Sequence, residues 1–220
     1  MGVDSHILSS EELAALVKRH THDLRNILNG IEMELMLLAE TADENEKAAA
    51  VKRVRREMRT ADVTIRSFAA KFLSETKTSV CVSDIAEQWV SDARILLPDH
   101  AITWDISTGE ALIDVHVGLL RSVLNDMLVL ACRNTSQPAV RAGCRCDDEQ
   151  AVFEVFSESG DGAASSCDEL QQLSWSILRQ FSARNGGVLE PPNLAASSKS
   201  LHRLIQPLST PPICSRSRTG

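Results

Sequence analysis

Two heptad patterns in the first third of the chain constrain its fold more than any other feature. In residues 9 to 40, apolar side chains recur at spacings of three or four residues, and His20 fills the gap in the series. The polar segment TADENEK follows, and a second series with the same spacing runs to about Ser74. The apolar positions are Leu13, Val17, Leu24, Ile27, Ile31, Leu35 and Leu38, then Val51, Val54, Met58, Ala61, Ile65, Phe68 and Phe72.

These patterns predict two long helices joined by a short turn, which is an antiparallel hairpin. The segment SSEEL supplies serine N-caps and early acidic residues for the first helix. A single hairpin cannot enclose its own apolar stripe, so we expect a second copy of the chain to complete a four-helix bundle. The prediction is therefore a homodimer.

Residues 79 to 208 change to short strand patterns separated by a few helical ones. This order predicts an α+β sandwich in which one sheet is covered by helices. We therefore divide the chain into a hairpin domain of residues 1–78, a second domain of residues 79–208 and a disordered tail of residues 209–220. The strand patterns are TSVCV, AITWDIS, ALIDV, AVRAGCRC, AVFEVFS and a stretch near LHRLIQPL.

Composition excludes several classes of protein. The chain of 220 residues has a net charge of −7 and a pI near 5.4, which argues against nucleic acid as its main partner. No apolar run approaches the roughly 20 residues of a membrane span, and the N-terminus lacks the features of a signal peptide. The six cysteines are scattered, and we expect Cys144 and Cys146 to be reduced thiols on one face of a strand. The sequence thus predicts a cytoplasmic protein without membrane contact or a metal site.

The stretch HTHDLRNILNG, at the centre of the first heptad series, contains the candidate reactive group. At about 100° per residue, His22 points away from the apolar seam and His20 points toward it. Asn26 and Asn29 share the stripe of His22, and Lys18 lies one turn before it. His22 is therefore expected to face solvent.

An exposed imidazole can act as a nucleophile and carry a phosphoryl group on nitrogen. Asp23 is placed to orient the ring, and Asn26 to hold a water molecule for hydrolysis of an acyl phosphate. Phosphoryl transfer also needs charge compensation, which Lys18, Arg19 and Arg25 offer. Spacing alone leaves open the alternative that His22 is an inert surface residue.

The segment HDLRNILNGI resembles the H-box of sensor histidine kinases, which lies on the first helix of a dimeric hairpin. The resemblance implies that His22 is the phospho-acceptor and Asp23 its acidic assistant. It also implies that Asn26 stands where the family has a residue that supports phosphatase activity. A receiver domain of a response regulator would then dock around His22, on a surface that includes Lys18, Arg19, Arg25 and Asn29.

The second domain resembles the ATP-binding domain of the same kinases, with parts of the nucleotide site lost. In LLRSVLNDMLVLACRNT, which looks like the N-box helix, Asp126 takes the first asparagine position and Leu130 the second. In the family the second asparagine holds Mg²⁺, and leucine offers that hard cation no oxygen. The resemblance therefore implies a degenerate nucleotide pocket.

The glycine-rich boxes of the family are also incomplete. ESGDG looks like the G1 box, with Glu158 in place of its aspartate and with Gly160 and Gly162 kept. Gln172 and Ser174 occupy the expected glycine positions of the G2 box. Without those glycines the backbone could not wrap phosphates closely, so no nucleotide cofactor is expected.

The sequence and the resemblance together favour a phosphorelay histidine phosphotransferase of two-component signal transduction. His22 would carry phosphate between receiver domains, without ATP-dependent autokinase activity. Three alternatives stay open: a phosphatase of a phosphorylated receiver, a catalytically active histidine kinase core, and a non-catalytic dimeric scaffold.

Overall fold

The computed structural model describes residues 9–72, 76–133, 140–147, 149–158, 169–190 and 199–209, and they form a helical hairpin followed by an α/β domain. The helices are α1 (Ser10–Glu40), α2 (Glu44–Ala70), α3 (Val82–Leu96), α4 (Val117–Arg133) and α5 (Glu169–Arg184). The strands are β1 (Thr78–Cys81), β2 (Ile102–Ser107), β3 (Leu112–Val115), β4 (Val140–Cys146), β5 (Gln150–Glu158), β6 (Val188–Glu190) and β7 (Lys199–Pro207). The predicted α+β class is confirmed.

Side-chain caps define where the two hairpin helices begin. Ser9 accepts a hydrogen bond from the backbone of Glu12 while the Glu12 carboxylate accepts one from the backbone of Ser9, which is a complete capping box. Asp43 caps α2 through the backbone N–H groups of Asn45 and Glu46. In the described part of the chain, no helix combines the length and the apolar character that crossing a membrane requires.

The heptad seam is only partly covered within one chain. His20 packs on Phe68 between the helices, and an ion pair of 2.7 Å joins Arg53 Nε to Glu34 Oε1 across the hairpin. Other seam residues remain more than 40% exposed, namely Leu13, Val17, Leu35, Met58, Ile65 and Phe72. A stripe of apolar surface is thus left uncovered. This agrees with the expectation that one hairpin cannot enclose its own seam.

The α/β domain contains two separate sheets, so the prediction of one sheet is wrong. The larger sheet has five strands in the order β2-β4-β5-β7-β6, in which β2 and β4 are parallel and the other neighbours antiparallel. Among the described residues, strands β1 and β3 pair only with each other, and α3 begins at the residue after β1. The short strand β6 was not predicted, because three residues are too few to show alternation.

Helices α3, α4 and α5 contribute one wall of the main core and the five-stranded sheet the other. Trp89 on α3, Leu124 on α4 and Phe181 on α5 are buried in one apolar cluster with Phe153 of β5 and Leu204 of β7. Cys144 also belongs to this cluster, and Cys146 packs against it from the same strand. Both are free thiols, as predicted.

Two consecutive glycines, Gly186 and Gly187, follow α5, and each has its own structural reason. Gly186 has a φ of 84°, the left-handed conformation that commonly ends a helix. Gly187 lies against β7, where an added Cβ would be 2.9 Å from the carbonyl oxygen of Ile205 and would overlap Gln206 Nε2. Asn185, just before them, accepts a hydrogen bond of 2.7 Å from the backbone of His116 and so ties α5 to the start of α4.

The second domain packs directly on the hairpin. Ser67 of α2 and Ser122 of α4 are joined by a hydrogen bond of 2.8 Å, and Arg184 Nη1 donates to the carbonyl of Lys71 at 2.8 Å. Glu12 Oε1 accepts hydrogen bonds from Ser176 and Gln180, which hold α5 beside the first turns of α1. Hairpin and domain therefore share an interface next to the His22 stripe.

The last residue that the structure describes lies beside β3. The backbone N–H of Ser209, the first residue of the predicted tail, donates to the carbonyl of Leu112 at 2.7 Å. Residues 210–220, which make up the rest of that predicted tail, lie outside the described residues.

Two glycine substitutions should have opposite effects on stability. Gly187→Ala would force β7 and α5 apart, so we expect a loss of about 1–3 kcal/mol in the free energy of unfolding. Gly30→Ala in α1 meets only Glu57 Cγ at 4.0 Å, so helix propensity should dominate and stabilise the protein by about 0.5–1 kcal/mol. Urea titration of both variants measures the difference; equal effects would contradict the close approach at Gly187.

Candidate functional site

His22 lies near the middle of α1 with 69% of its side chain exposed. His20, two residues earlier, is buried in the hairpin. This contrast is what the helical periodicity predicts, since two residues on a helix differ by about 200°. The structure therefore presents one imidazole to solvent and encloses the other.

One nitrogen of the His22 ring is engaged by neighbours on the same helix. Nδ1 is 3.2 Å from Nδ2 of Asn26 and 3.6 Å from Oδ1 of Asp23. Within the described residues, Nε2 makes no hydrogen bond. The ring thus turns one nitrogen toward Asp23 and Asn26 and leaves the other open for reaction.

As placed, the Asn26 amide nitrogen can donate to Nδ1, whereas a rotated amide with its oxygen toward the ring suits nucleophilic attack by Nε2. A proton on Nδ1 leaves the lone pair on Nε2, and the nearby Asp23 carboxylate favours that tautomer and the positive charge that attack creates. The amide of Asn26 can accept from Nδ1–H through its oxygen after a rotation of the amide group. The geometry brings together the three residues that the sequence singled out, His22, Asp23 and Asn26.

The residues expected to dock a partner fall into two groups. Lys18, Arg25 and Asn29 are exposed along the His22 face of α1. Arg19 is different, because its side chain is only 19% exposed and its Nη1 donates to Ser174 of α5 at 3.4 Å. Further along α1, Met33, Met36 and Leu37 form an exposed apolar patch, which the heptad analysis did not include.

A buried cluster of charged and polar side chains lies beneath this face. The fully buried Lys71, which follows α2, places its Nζ 2.8 Å from Asp126 Oδ2 of α4 and 3.2 Å from His20 Nε2. Sequence reasoning missed Lys71. The sequence signal was a lysine three residues after Phe68, next to the apolar seam of the second heptad series.

The cluster lowers the pKa values of two of its members, Asp126 and His20. Burial alone would raise the pKa of Asp126, but the charges of Lys71 and Arg19 outweigh it and lower that pKa below its usual range. Burial, reinforced by the Lys71 charge, lowers the pKa of His20 to about 4. At neutral pH, Lys71 and Asp126 are therefore a charged pair beside a neutral His20.

The residues that resemble parts of a nucleotide site take part in packing where the structure describes them. Leu130 is buried in the apolar core, and Asp126 is paired with Lys71. The backbone of Glu158 ends β5 opposite Lys199. Gly160 and Gly162 lie outside the described residues. Among the described residues, no group of three or more His, Cys, Asp or Glu side chains could hold a metal ion.

Several solved structures share this hairpin and α/β domain. A bacterial phosphotransferase aligns with a TM-score of 0.59 at 13% identity, over 90% of this chain and 98% of its own. The Acinetobacter baumannii histidine kinase AdeS aligns with a TM-score of 0.51 at 12% identity, over 86% of this chain and 98% of its own. A histidine kinase from Burkholderia phymatum gives 0.50 at 12% identity, over 92% of this chain and 100% of its own.

No protein-family model and no curated protein matches the chain. The likeness to the solved structures establishes the fold: the chain has the architecture of histidine kinase cores and of a bacterial phosphotransferase. The fold implied by the H-box and N-box resemblances is thereby confirmed, whereas the chemistry rests on the residues.

The buried histidines should make stability depend on pH. The folded chain keeps His20 neutral down to about pH 4, while the unfolded chain protonates it near the ordinary value of 6.5. The unfolded state therefore binds the extra proton, and His20 should lower stability by about 2 kcal/mol between pH 7.5 and pH 5.

His202, stacked on Trp175, has a pKa lowered to about 4 by burial and should add a similar loss. Urea unfolding at several pH values should show that His20→Gln removes about half of this pH dependence. A matched His202→Gln variant should remove the other half. An unchanged slope in His20→Gln would contradict the burial of a neutral His20.

Proposed function

We propose that the protein is a phosphorelay histidine phosphotransferase that carries a phosphoryl group on His22 between receiver domains of response regulators. The observation that carries the proposal is the exposed Nε2 of His22, with Asp23 and Asn26 at the opposite ring nitrogen. The fold supports it, because a bacterial phosphotransferase shares the whole architecture.

The transfer step balances without a cofactor. The Nε2 lone pair attacks the phosphorus of a receiver's aspartyl phosphate, and the N–P bond forms as the P–O bond to the aspartate breaks. The aspartate leaves as a carboxylate with the electron pair of that bond. The ring then carries a positive charge with its proton on Nδ1, which the Asp23 carboxylate stabilises. The reverse steps deliver the group to a second receiver.

An ATP-dependent reaction is disfavoured by the state of the N-box residues. Leu130 offers no oxygen to Mg²⁺, and the Asp126 carboxylate is already held by Lys71 at 2.8 Å. Using Asp126 for a nucleotide would leave Lys71 as an unpaired buried cation, at a cost of about 3–5 kcal/mol. We therefore infer that phosphate reaches His22 from a receiver.

The receiver would dock over the exposed face of α1 around His22. Lys18 and Arg25 offer positive charge to the acidic phosphorylation site of such a domain. The exposed patch of Met33, Met36 and Leu37 offers an apolar contact on the same helix. Polar contacts near His22 and an apolar patch beyond it are the composition of a specific, transient interface.

We also infer a homodimer in the cytoplasm. The exposed seam residues of α1 and α2 form the kind of apolar stripe that a second hairpin covers in a four-helix bundle. The free cysteines Cys81, Cys132, Cys144 and Cys146 fit a reducing compartment.

Two substitutions in α1 test the dimer. Leu35 belongs to the exposed seam, whereas Met33, two residues away, lies on the other side of the helix. Leu35→Glu would bury a charge in the bundle and should raise the dimer dissociation constant at least tenfold. Met33→Glu should leave it unchanged. Sedimentation equilibrium separates a 24.1 kDa monomer from its dimer, and a monomeric wild type would refute the bundle.

The proposed reaction is tested with receiver domains of the same organism, phosphorylated on aspartate by a radiolabelled acyl phosphate. Each receiver is mixed with the wild type, with His22→Ala or with His100→Ala, which removes another exposed histidine. We expect label that survives alkali but not acid on the wild type and on His100→Ala, and none on His22→Ala.

Other outcomes identify the rival functions. If the receiver loses its label equally with the wild type and with His22→Ala, and this chain never carries any, the protein is a phosphatase. Loss of that activity in Asn26→Ala would then identify the residue that positions the water. Label from ATP with Mg²⁺ would identify a kinase, and no reaction with any receiver would favour a scaffold.

A further inference from the structure

Arg19 connects the helix that carries His22 to the second domain. Its guanidinium lies between two carboxylates, with Nε 4.0 Å from Asp23 Oδ2 and Nη2 4.0 Å from Asp126 Oδ1. Nη1 donates to Ser174 Oγ at 3.4 Å. A single side chain of α1 thus contacts α4 and α5 while it lies beside Asp23.

The Asp23 carboxylate faces a different neighbour with each oxygen. Oδ1 is 3.6 Å from Nδ1 of His22, and Oδ2 is 4.0 Å from Nε of Arg19. The Asp23 side chain can adopt several χ1 rotamers, and the one observed keeps one carboxylate oxygen near the imidazole and the other near Arg19. The charge of Arg19 favours the orientation in which Oδ2 points inward and Oδ1 points to His22.

We propose that Arg19 is a positioning residue that holds Asp23 against His22 and makes phosphoryl transfer depend on the docked second domain. The inference rests on the proposed function and deepens it. Arg19 acts on the reacting ring through Asp23, and does not itself contact the receiver.

Asp126 provides the fixed end of this connection. It is held by the buried Lys71 at 2.8 Å, and Lys71 in turn contacts His20. The position that resembles the first asparagine of a kinase N-box therefore serves here as an anchor for Arg19. Undocking the second domain would release Arg19 and, through it, Asp23.

An arginine suits this role because its planar guanidinium spreads one positive charge over three nitrogen atoms. One group can then face Asp23, Asp126 and Ser174 at the same time. A lysine keeps the charge but concentrates it on one atom. Arg19→Lys should therefore recover only part of the function that Arg19→Gln loses.

The test measures two quantities for each variant: the single-turnover rate of transfer at saturating phosphorylated receiver, and the dissociation constant of the receiver. We expect Arg19→Gln to lower the rate about tenfold, since small misplacements of catalytic groups are costly, and to leave the dissociation constant within about twofold. Lys18→Gln, one residue away, should instead weaken receiver binding. Arg145→Gln, on the outer face of the sheet, is the control for loss of a cation and should match the wild type.

A double-mutant cycle with Asp23→Asn separates positioning from a structural role. If Arg19 acts through Asp23, the double variant Arg19→Gln/Asp23→Asn should transfer as fast as Asp23→Asn alone. If the rate losses of the two single variants multiply in the double variant, the proposal is wrong. It is also wrong if Arg19→Gln changes only the dissociation constant of the receiver. Asp126→Asn should reproduce the rate loss, and circular dichroism confirms that each variant is folded at the assay temperature.

The result for the wild type distinguishes a failure of the proposed function from a failure of the inference about Arg19. A wild type that never takes label from any receiver would refute the proposed function and this inference together. A wild type that transfers normally, with Arg19→Gln equally fast, would refute the inference alone.

Discussion

The ion pair between Lys71 and Asp126 is the interaction on which the relation between hairpin and domain depends. The ammonium of Lys71 is fully buried, and Asp126 places a carboxylate 2.8 Å from it. A buried cation is tolerated only when its charge is compensated, and removal of one partner from such a pair costs about 3–5 kcal/mol. The hydrogen bond between Ser67 and Ser122 joins the same two segments of the chain four residues before each partner. The pair thereby joins the second domain to the hairpin.

These contacts have consequences for the residues that resemble a nucleotide site and for His22. Asp126 is paired with Lys71 at the interface, and Leu130 is buried in the apolar core. Neither side chain is therefore available to a bound nucleotide. Through Arg19 the same interface reaches Asp23, the neighbour of the exposed imidazole. In the proposed carrier the second domain is therefore a brace that orders the phosphotransfer site, and it also borders the surface on which a receiver would dock.

Most of the fold was predictable from the sequence because its strongest signals are local. Heptad spacing and caps such as Ser9 and Asp43 depend on residues within a few positions of one another, so both hairpin helices were predicted. Strand pairing joins distant segments, which explains why the separate pairing of β1 with β3 was missed. The exposure of His22 and the burial of His20 were predicted, since they follow from helical periodicity alone.

No comparable local signal marks the interface between hairpin and second domain. Lys71 and Asp126 are 55 residues apart, and nothing local marks them as partners. A helical wheel places Arg19 beside the His22 stripe, but it does not show that another domain covers that side. The roles of His22, Asp23 and Asn26, the homodimer and the receiver partner all remain predictions that need experiment.

Phosphorus NMR of the protein phosphorylated by its receiver tests the central proposal most directly, because it identifies the atom that carries the group. A phosphorus on Nε2 couples to both carbon-bound protons of the ring, whereas a phosphorus on Nδ1 couples to one. Since Nδ1 faces Asp23 and Asn26, we expect coupling of one phosphorus to both ring protons of His22. A signal from Nδ1, from another residue, or no phosphohistidine signal at all would contradict His22 Nε2 as the carrier.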